Sequence, residues 1–296
     1  MAYKTPDQIA TAAVNAGLAK ANLSPGRMLG GSFLAGAYIA FAGLLGIAVT
    51  SGMPTATWGT LPTLIFGAAF SMGLILVIIA GSELVTGNMA LLPLGLTSRR
   101  TNGGRVVLSL VLVTIGNLAG SLLVAYFFAV KTGVVGAPTS TGAAHDVFVK
   151  LSGSAKGKAV TEDSLQIFLR AVGCNWLVCL AVWMAFAAED IAGKILAIFF
   201  PIMAFVAMGF DHVVANMFFL PAALFAHVPG ITTGDVVHNL LLAWVGNLVG
   251  AGVFVAGFYW FLYLRGRPQA ELADGTQVQP NSNHRSKEGQ NAAGPR

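Results

Sequence analysis

Long apolar runs alternate with short polar segments along most of the chain. A helix rises about 1.5 Å per residue, so crossing a hydrocarbon core of about 30 Å takes about twenty apolar residues. Runs of that order lie near residues 28–50, 61–98, 105–130, 165–188, 195–226 and 236–264. The second and fifth are too long for one straight crossing, and polar residues followed by Pro93 or Pro221 interrupt them. The pattern predicts six membrane-spanning helices, of which the second and fifth are broken.

The two interruptions resemble each other. Residues 81–93 read GSELVTGNMALLP and residues 209–221 read GFDHVVANMFFLP, which align without a gap. Further along, GNLAG at 116–120 recurs as GNLVG at 246–250, and chance does not explain two matching pairs in nearly the same register. The repeat predicts an all-α polytopic membrane protein of two homologous halves. Because each half has three spans, the second half is inverted, and the broken helices are expected to meet near the middle of the membrane.

The composition is that of a membrane protein. Hydrophobic residues make up 55% of the 296 residues and charged residues 10%, whereas soluble domains carry about 25% charged residues. A net charge of +5 would favour a nucleic-acid partner in a soluble protein. Here the basic residues lie at the ends of the apolar runs and follow membrane topology. We therefore expect a lipid bilayer as the surroundings and no nucleic acid as a partner.

Lysine and arginine set the predicted orientation. With a cytoplasmic N-terminus, the cytoplasmic segments hold twelve basic residues and the outer loops hold four. Both termini are therefore expected in the cytoplasm, and the protein in the cell membrane. Two of the outer residues, Lys156 and Lys158, could raise the local concentration of an anion, although solvated loop lysines are the commoner case.

The chain divides into three predicted segments. They are a cytoplasmic N-terminal amphipathic helix (1–27), a six-span transmembrane channel domain (28–264, with repeats near 28–130 and 165–264) and a disordered cytoplasmic tail (265–296). The stretch TPDQIATAAVNAGLAKA predicts the first helix, with Thr5 as its cap and Pro6 at its first position. The tail is polar throughout, which is typical of disorder.

The interruptions require a polar environment. Lipid cannot satisfy the backbone groups that a broken helix exposes, so each break must line a cavity inside the protein. The half-helices that follow point their N-termini inward, where partial positive charge favours an anion. Glu83 and Asp211 occupy matching positions in the two breaks. We expect these carboxylates to support the breaks by accepting hydrogen bonds from freed backbone groups or from the other half.

The repeat is asymmetric at two positions. His212 matches Leu84, and Val214 matches Thr86, so one break contributes an imidazole and the other a hydroxyl. Histidine exchanges a proton near neutral pH, and together these groups could protonate a weak-acid anion where the membrane is hardest to cross. The alternative is a buried neutral histidine bonded to the backbone. We favour the functional interpretation because ionisable groups inside a membrane are costly.

Apolar side chains are expected on either side of His212. Phe205 precedes it by two helical turns, and Phe70 and Leu74 share a face of the second span. Aromatic stripes are more often packing than gates, and composition alone does not choose between the two. Asn175 is a lone amide within CNWLVCLAVW, so it faces either a neighbouring helix or a pore.

Three stretches, GSELVTGNM, CNWLVCLAVWM and GFDHVVANMFFLP, closely resemble the signatures of the formate/nitrite transporter family. The resemblance covers all six spans, about residues 5–265. It implies an aquaporin-like fold of six helices with broken second and fifth spans. It also implies a homopentamer with one pore per protomer that passes small monovalent anions such as formate, nitrite, hydrosulfide or lactate.

The resemblance assigns roles to individual residues. The family's central histidine falls on His212, its loop threonine on Thr86 and its pore asparagines on Asn175 and Asn216. The outer aromatic constriction falls on Phe70 and Phe205, the inner apolar slit on Leu74 and Leu84, and the outer lysine on Lys158, with Lys156 as the alternative. The family's loop often reads Leu-Phe-Thr, whereas here Val85 stands in the middle. This departure could widen the slit or change its gating.

The sequence as a whole predicts a channel or transporter for small monovalent anions, formate first, with pH-dependent permeation that is either passive or proton-coupled. Nitrite or hydrosulfide is the alternative within the family. A neutral-solute pore would be expected to show paired Asn-Pro-Ala loops, and ammonia carriers normally pair their intramembrane histidines; this chain has neither. An intramembrane enzyme is not expected, because the sequence lacks an HExxH-type metal cluster. No catalytic residue, metal or cofactor is predicted, and the expected partners are the anion, a proton, the bilayer and further copies of the chain.

Overall fold

The computed structural model describes residues 3–267, and its regular secondary structure is helical apart from one isolated β-bridge between Tyr3 and Ala188. The first helices are α1 (Pro6–Ala21), α2 (Pro25–Thr50), α3 (Thr55–Trp58), α4 (Leu61–Ile79), α5 (Val85–Thr97) and α6 (Gly103–Leu123). They are followed by α7 (Gly142–Lys156), α8 (Ser164–Ala187), α9 (Ile191–Ala207), α10 (Val213–Phe225) and α11 (Thr233–Ala251). The predicted tail from residue 268 onward lies outside the described residues.

Among the described residues, five helices are long and apolar enough to cross a membrane. They are α2, α4, α6 with a π-helical extension over Val124–Lys131, α8, and α11 with π-helical turns that continue to Leu264. α9 is equally apolar but has 17 residues. The all-α architecture of a multi-pass membrane protein, which the apolar runs predicted, is confirmed.

The second and fifth crossings are broken as predicted, at the polar residues that include Glu83 and Asp211 and precede the prolines. Five residues separate α4 from α5, and five separate α9 from α10. Each gap turns at a glycine with a positive φ angle, Gly81 at +78° and Gly209 at +72°, a conformation that glycine adopts without steric cost. Pro93, which is partly buried, and Pro221, which is buried, lie inside α5 and α10, because a proline packed among neighbouring helices can remove one helical hydrogen bond without ending the helix.

The two halves pack in the same way. α2 contacts α4 and α6, α8 contacts α9 and α11, and α4 contacts α9 across the halves. Glycines of the repeated GNLAG and GNLVG motifs allow close approaches between helices. A Cβ on Gly120 would lie 1.9 Å from the carbonyl oxygen of Phe33, and one on Gly250 would lie 2.3 Å from that of Val172. The motif therefore lets α6 and α11 reach the backbones of α2 and α8.

α1 is anchored to the half-helix that follows the first break. The Gln8 side chain accepts the N–H of Thr5 at 2.9 Å, and Pro6 occupies the first turn. The buried face of α1 packs on α5, where a Cβ on Gly17 would lie 1.8 Å from the carbonyl oxygen of Leu91. The position of α1 is therefore coupled directly to that of α5.

The segment between the third and fourth crossings contains a helix that the sequence analysis treated as a loop. α7 buries Val147, Phe148 and Leu151, which recur at helical spacing on one face. A π-helical turn, Gly157–Thr161, continues α7. This turn directs the side chain of Lys158 inward, toward the gap between α9 and α10.

Candidate functional site

An asparagine from α6 holds the break between α4 and α5. Asn117 Oδ1 accepts the N–H of Val85 at 2.9 Å, and its Nδ2 donates to the carbonyl oxygens of Ser32 at 2.8 Å and Glu83 at 2.9 Å. The N–H of Val85 and the carbonyl of Glu83 belong to the break itself, where the interrupted helix supplies no partners. One side chain therefore satisfies the exposed backbone and ties it to α2.

An asparagine from α11 holds the break between α9 and α10 in the same way. Asn247 Oδ1 accepts the N–H of Val213 at 2.9 Å, and its Nδ2 donates to the carbonyl oxygens of Ala171 at 2.8 Å and Asp211 at 2.9 Å. Asn117 and Asn247 are the asparagines of GNLAG and GNLVG. Sequence reasoning used these motifs to find the repeat and assigned them no role, although their near-constant distance from the breaks was a signal that could have found them.

The carboxylate of the first break is paired with a lysine of α1. Lys20 Nζ donates to Glu83 Oε1 at 2.8 Å, and Asn88 Nδ2 donates to Glu83 Oε2 at 3.0 Å. We expected freed backbone groups, or the other half, to hold this carboxylate, and the structure corrects that expectation. The backbone is satisfied by Asn117, and a partly buried carboxylate requires a cation nearby.

The carboxylate of the second break is paired with a lysine that follows α7. Lys158 Nζ and Asn216 Nδ2 each donate to Asp211 Oδ1 at 2.8 Å. Asn216 Nδ2 also lies 2.8 Å from Asn239 Oδ1. The Asp211 side chain is 0% exposed and that of Lys158 is 16% exposed. Of the two candidate lysines, Lys158 reaches the interior, whereas Lys156 is exposed.

His212 joins the two breaks. Its Nδ1 accepts the N–H of Ala215 at 3.1 Å, so this nitrogen caps α10 and carries no proton. The proton of the neutral ring is then on Nε2, which lies 2.9 Å from Thr86 Oγ1 in the first turn of α5 and donates to it. The sequence left two interpretations of His212, a neutral histidine bonded to the backbone and a functional group paired with Thr86. The structure shows contacts that fit both, because His212 bonds the backbone and also contacts the hydroxyl of the other half.

Asn175 lies behind Thr86. Its Nδ2 donates to the carbonyl oxygen of Thr86 at 3.1 Å and to that of Asn247 at 2.8 Å. The residue is fully buried and lines neither of the two cavities beside His212. Of the two orientations open from the sequence, the structure shows contact with neighbouring helices, where Asn175 positions Thr86.

Two cavities meet at His212. The larger, which we call the vestibule, has a volume of about 250 Å³. Its lining includes Phe66, Phe70, Lys150, Lys158, Glu162, Arg170, Phe205, His212, Asn216 and Phe219. The smaller, which we call the inner pocket, has a volume of about 10 Å³, room for about one water molecule. It is lined by Ile39, Phe70, Leu74, Leu84, Val178, Ile202, Phe205 and His212. Val85 and Thr86 line neither cavity.

Two phenylalanine rings and His212 line both cavities. The rings of Phe70 and Phe205 meet edge to face with their centroids 6.1 Å apart, and the Phe205 centroid lies 5.9 Å from that of His212. Both phenylalanines are 2% exposed. A solute that moves from the vestibule to the inner pocket must shed water against these rings. His212 is the polar side chain that both cavities share.

The vestibule holds more charge than the sequence analysis assigned to it. Glu162 ends the π-helical turn before α8, outside the membrane-spanning helices, and forms an ion pair with Arg170. The pKa of Glu162 is raised to about 7, first by burial and then by the Asp211 carboxyl, against the opposing charges of Lys158 and Arg170. Burial also lowers the pKa of Lys150. Sequence reasoning missed Glu162, which lies in a loop and has no counterpart in the repeat.

These features define a membrane transport protein for a small solute. Broken helices that meet at a narrow, apolar constriction inside a multi-pass bundle are typical of that class. Cationic side chains and hydrogen-bond donors along the passage favour an anion. In the part of the chain that the structure describes, no cluster of His, Cys, Asp or Glu side chains is placed to hold a metal ion.

Comparison with known proteins identifies the family. The formate/nitrite transporter model matches residues 7–261, and the chain belongs to this family. A probable formate transporter of Methanothermobacter thermautotrophicus is 46% identical over 271 residues, 89% of this chain and 98% of that protein. The formate channel BtFdhC of Bacillus thuringiensis is 39% identical over 263 residues, 89% of this chain and 97% of that protein. A solved pentameric formate channel with formate bound superposes with a TM-score of 0.69 at 29% identity, covering 81% of this chain and 98% of that one.

Proposed function

We propose that the protein conducts formate across the cell membrane through a pore in each protomer, with nitrite as the alternative cargo. The observation that carries the proposal is the 2.9 Å contact between Thr86 and His212, which joins the two breaks at the polar side chain that lines both cavities. Relatives named as a formate transporter and a formate channel support formate as the cargo, and the family description supports nitrite as the alternative. The proposed activity is transport, with no enzymatic conversion of the anion.

The proposed path begins in the vestibule. Lys158 attracts the anion, and the rings of Phe70 and Phe205 then displace its water. Because His212 Nε2–H is directed at Thr86 Oγ1, the hydroxyl proton of Thr86 is available to an anion oxygen. The pair therefore replaces part of the lost hydration at the constriction.

The same geometry supports a proposal of proton coupling through His212. Since Nδ1 accepts the N–H of Ala215, a proton can bind there only if this cap is released. An anion at the constriction offsets that cost, because it stabilises the imidazolium. The ring then passes its Nε2 proton to Thr86 as the Thr86 hydroxyl proton moves to the anion. The neutral acid continues past Leu74 and Leu84, and His212 is left neutral with its proton on Nδ1.

Uptake of labelled formate at saturating concentration into proteoliposomes across a pH series tests this relay, because a change in KM does not affect the flux at saturation. In the wild-type protein we expect the flux to rise on acidification. His212→Asn retains a side-chain oxygen that can cap α10 but cannot titrate, so the rise should be lost. His238→Asn is the matched control, because His238 is paired with Ser164 at 3.1 Å on an exposed face. A His212→Asn variant whose flux keeps the wild-type pH dependence would contradict the relay.

Competition in the same vesicles tests the cargo. Unlabelled nitrite and hydrosulfide are added separately, and we expect formate to compete best. If formate does not pass while nitrite or hydrosulfide does, the cargo assignment is overturned and the path remains.

We also propose a homopentamer with both termini in the cytoplasm. Large apolar side chains such as Val111, Ile115 and Leu241 are exposed on membrane-spanning helices, where lipid or further copies can cover them. The pentameric solved relative supports five copies, and the twelve-to-four distribution of basic residues supports the orientation. Native mass spectrometry and labelling of a C-terminal tag in intact cells test the two statements; a monomer, or labelling from outside, would contradict them.

A further inference from the structure

Glu162 stands in an unusual position for a loop carboxylate. Its side chain is 7% exposed, lines the vestibule, and is ion-paired through Oε1 with Arg170. The other oxygen, Oε2, is buried and accepts no hydrogen bond from any donor in the described part of the chain. The same holds for Oδ2 of Asp211, whose Oδ1 takes the bonds from Lys158 and Asn216. Two buried carboxyl groups thus each have one oxygen without a donor.

Lys158 links the two groups. Its Nζ donates to Asp211 Oδ1 at 2.8 Å, and it lines the vestibule together with Glu162. The two carboxyl groups also interact with each other, and each influences the pKa of the other. Two interacting carboxylates repel strongly when both are ionised, and a buried oxygen without a donor is costly. A single proton between them removes the repulsion and gives both oxygens a hydrogen bond, so the pair titrates as a unit.

We propose that Glu162 and Asp211 share one proton in the vestibule, and that this proton determines how strongly the vestibule attracts the anion. The proposal rests on the proposed anion transport. It assigns a proton-binding site distinct from His212, and it makes Glu162 a residue that controls affinity for the cargo.

The surrounding charges show how the proton acts. The charged and titratable groups around Glu162 are Lys150 on α7, Lys158 on the π-helical turn, Arg170 on α8, and Asp211 and His212 between α9 and α10. α11 contributes the neutral amide of Asn239, which donates to the Lys158 carbonyl at 3.0 Å, and His238, which is paired with Ser164. When the shared proton is bound, the net charge of the vestibule is one unit more positive than when it is lost. Loss of the proton therefore weakens the attraction for an anion.

The direction of the pH dependence follows. The pKa of Glu162 is raised to about 7, by burial first and by the Asp211 carboxyl second. Below that pH the pair holds its proton and the anion is bound more tightly; above it the proton is lost and the apparent KM rises. The charge of the Glu162–Asp211 pair acts on the anion over a short distance in a partly dehydrated space. We therefore expect the apparent KM for formate to rise on the order of threefold to tenfold from about pH 6 to about pH 8.

Transport kinetics test the proposal. Apparent KM for formate is measured in proteoliposomes with equal pH on both sides, so that the orientation of the protein in the vesicle does not matter. Glu162→Gln is neutral and can donate its amide N–H to Asp211, so it imitates the protonated pair. We expect this variant to keep the low wild-type KM of about pH 6 also at about pH 8. A Glu162→Gln profile that rises with pH as the wild type does would overturn the proposal.

Asp163→Asn is the matched control. Asp163 is the neighbouring carboxylate, is exposed, and caps α8 by accepting the Gln166 N–H at 2.9 Å, a role that asparagine also fills. It removes the same formal charge one residue away, and we expect the wild-type rise in KM to persist. Equal loss of the rise in both variants would show a general surface-charge effect and would contradict a shared buried proton.

Infrared difference spectroscopy gives a readout that needs no transport. Between about pH 6 and about pH 8, the wild-type protein should lose the C=O stretch of a protonated carboxyl group, and Glu162→Gln should show no such change. Absence of this band in the wild type would overturn the proton site even if formate is carried. If the band titrates and formate is not carried, the proton site stands, the cargo proposal fails, and the KM series is repeated with nitrite.

Discussion

The two broken crossings share one framework and differ in their chemistry. Each break has a lysine from a neighbouring segment, a carboxylate in the gap and an asparagine in the following half-helix. The sets are Lys20, Glu83 and Asn88 in the first break, and Lys158, Asp211 and Asn216 in the second. The residue that precedes the half-helix differs: Leu84 provides no side-chain cap for α5, whereas His212 caps α10.

This difference distinguishes the residues that stabilise a break from the residues that act on the solute. Interrupting a helix inside a membrane exposes backbone groups and buries a carboxylate wherever it occurs, so both halves need the same supporting bonds. A titratable group is needed only once along a single path. His212 has no counterpart in the first half, and the hydroxyl it contacts, Thr86, has none in the second.

The largest effects are expected from the asparagines that hold the breaks. Asn247→Ala and Asn117→Ala each remove three hydrogen bonds and leave buried backbone groups unpaired. At about 1–2 kcal/mol per bond, each should lower the free energy of unfolding by on the order of 4 kcal/mol. SDS titration in mixed micelles measures this loss.

A cap outside the breaks serves as the control for this pair. Asn102→Ala removes an exposed bond to the Arg105 N–H at the start of α6 and should cost about 1 kcal/mol. Clearly unequal losses for Asn117→Ala and Asn247→Ala would show that the two frameworks are not equivalent.

Removing the lysine of each break should lower the free energy of unfolding by different amounts in the two halves. Lys158→Met leaves Asp211 charged with 0% exposure, and stranding a buried charge costs about 3 kcal/mol or more. Lys20→Met leaves Glu83, whose side chain is 14% exposed, and should cost about 1 kcal/mol. The same unfolding titration ranks the two variants.

A compensating change checks the cause of this difference. Adding Asp211→Asn to Lys158→Met neutralises the stranded carboxylate and should recover a large part of the lost stability. No recovery would mean that the lysine stabilises the fold through packing of its alkyl chain.

A modest change in stability, with a clear change in transport, is expected at Thr86. Thr86→Val keeps the shape and removes the acceptor for His212 Nε2–H. Loss of one buried hydrogen bond of about 1.4 kcal/mol at the constriction should lower kcat/KM for formate about tenfold. Uptake kinetics measure this ratio.

Two further variants serve as controls for the Thr86 prediction. Thr86→Ser restores the hydroxyl and should restore most of the flux. Val214→Thr places a hydroxyl at the matching position of the other half and should leave the pH dependence unchanged. If Thr86→Val transports as the wild type does, the hydroxyl takes no part in conduction.

Particular residues show why part of the site was predictable. The mismatch of His212 with Leu84 and of Thr86 with Val214 indicated a pair from opposite halves, and the two residues lie 2.9 Å apart. The partners of Glu83 and Asp211 were not predictable, because Lys20 and Lys158 are distant along the chain and lie in segments that carry no repeat signal. The helix α7 was missed because its buried face is shorter than a membrane span.

The sequence by itself determined the crossings, the breaks and the halves, because the length of an apolar run and the spacing of a repeat are properties of the chain alone. Only the tertiary structure decided which polar groups meet. The neutral state of His212 follows from its cap on α10, and the position of Lys158 and Glu162 in the vestibule follows from the fold of the π-helical turn against the second break. Such contacts depend on packing between segments far apart in the chain, and no local pattern encodes them.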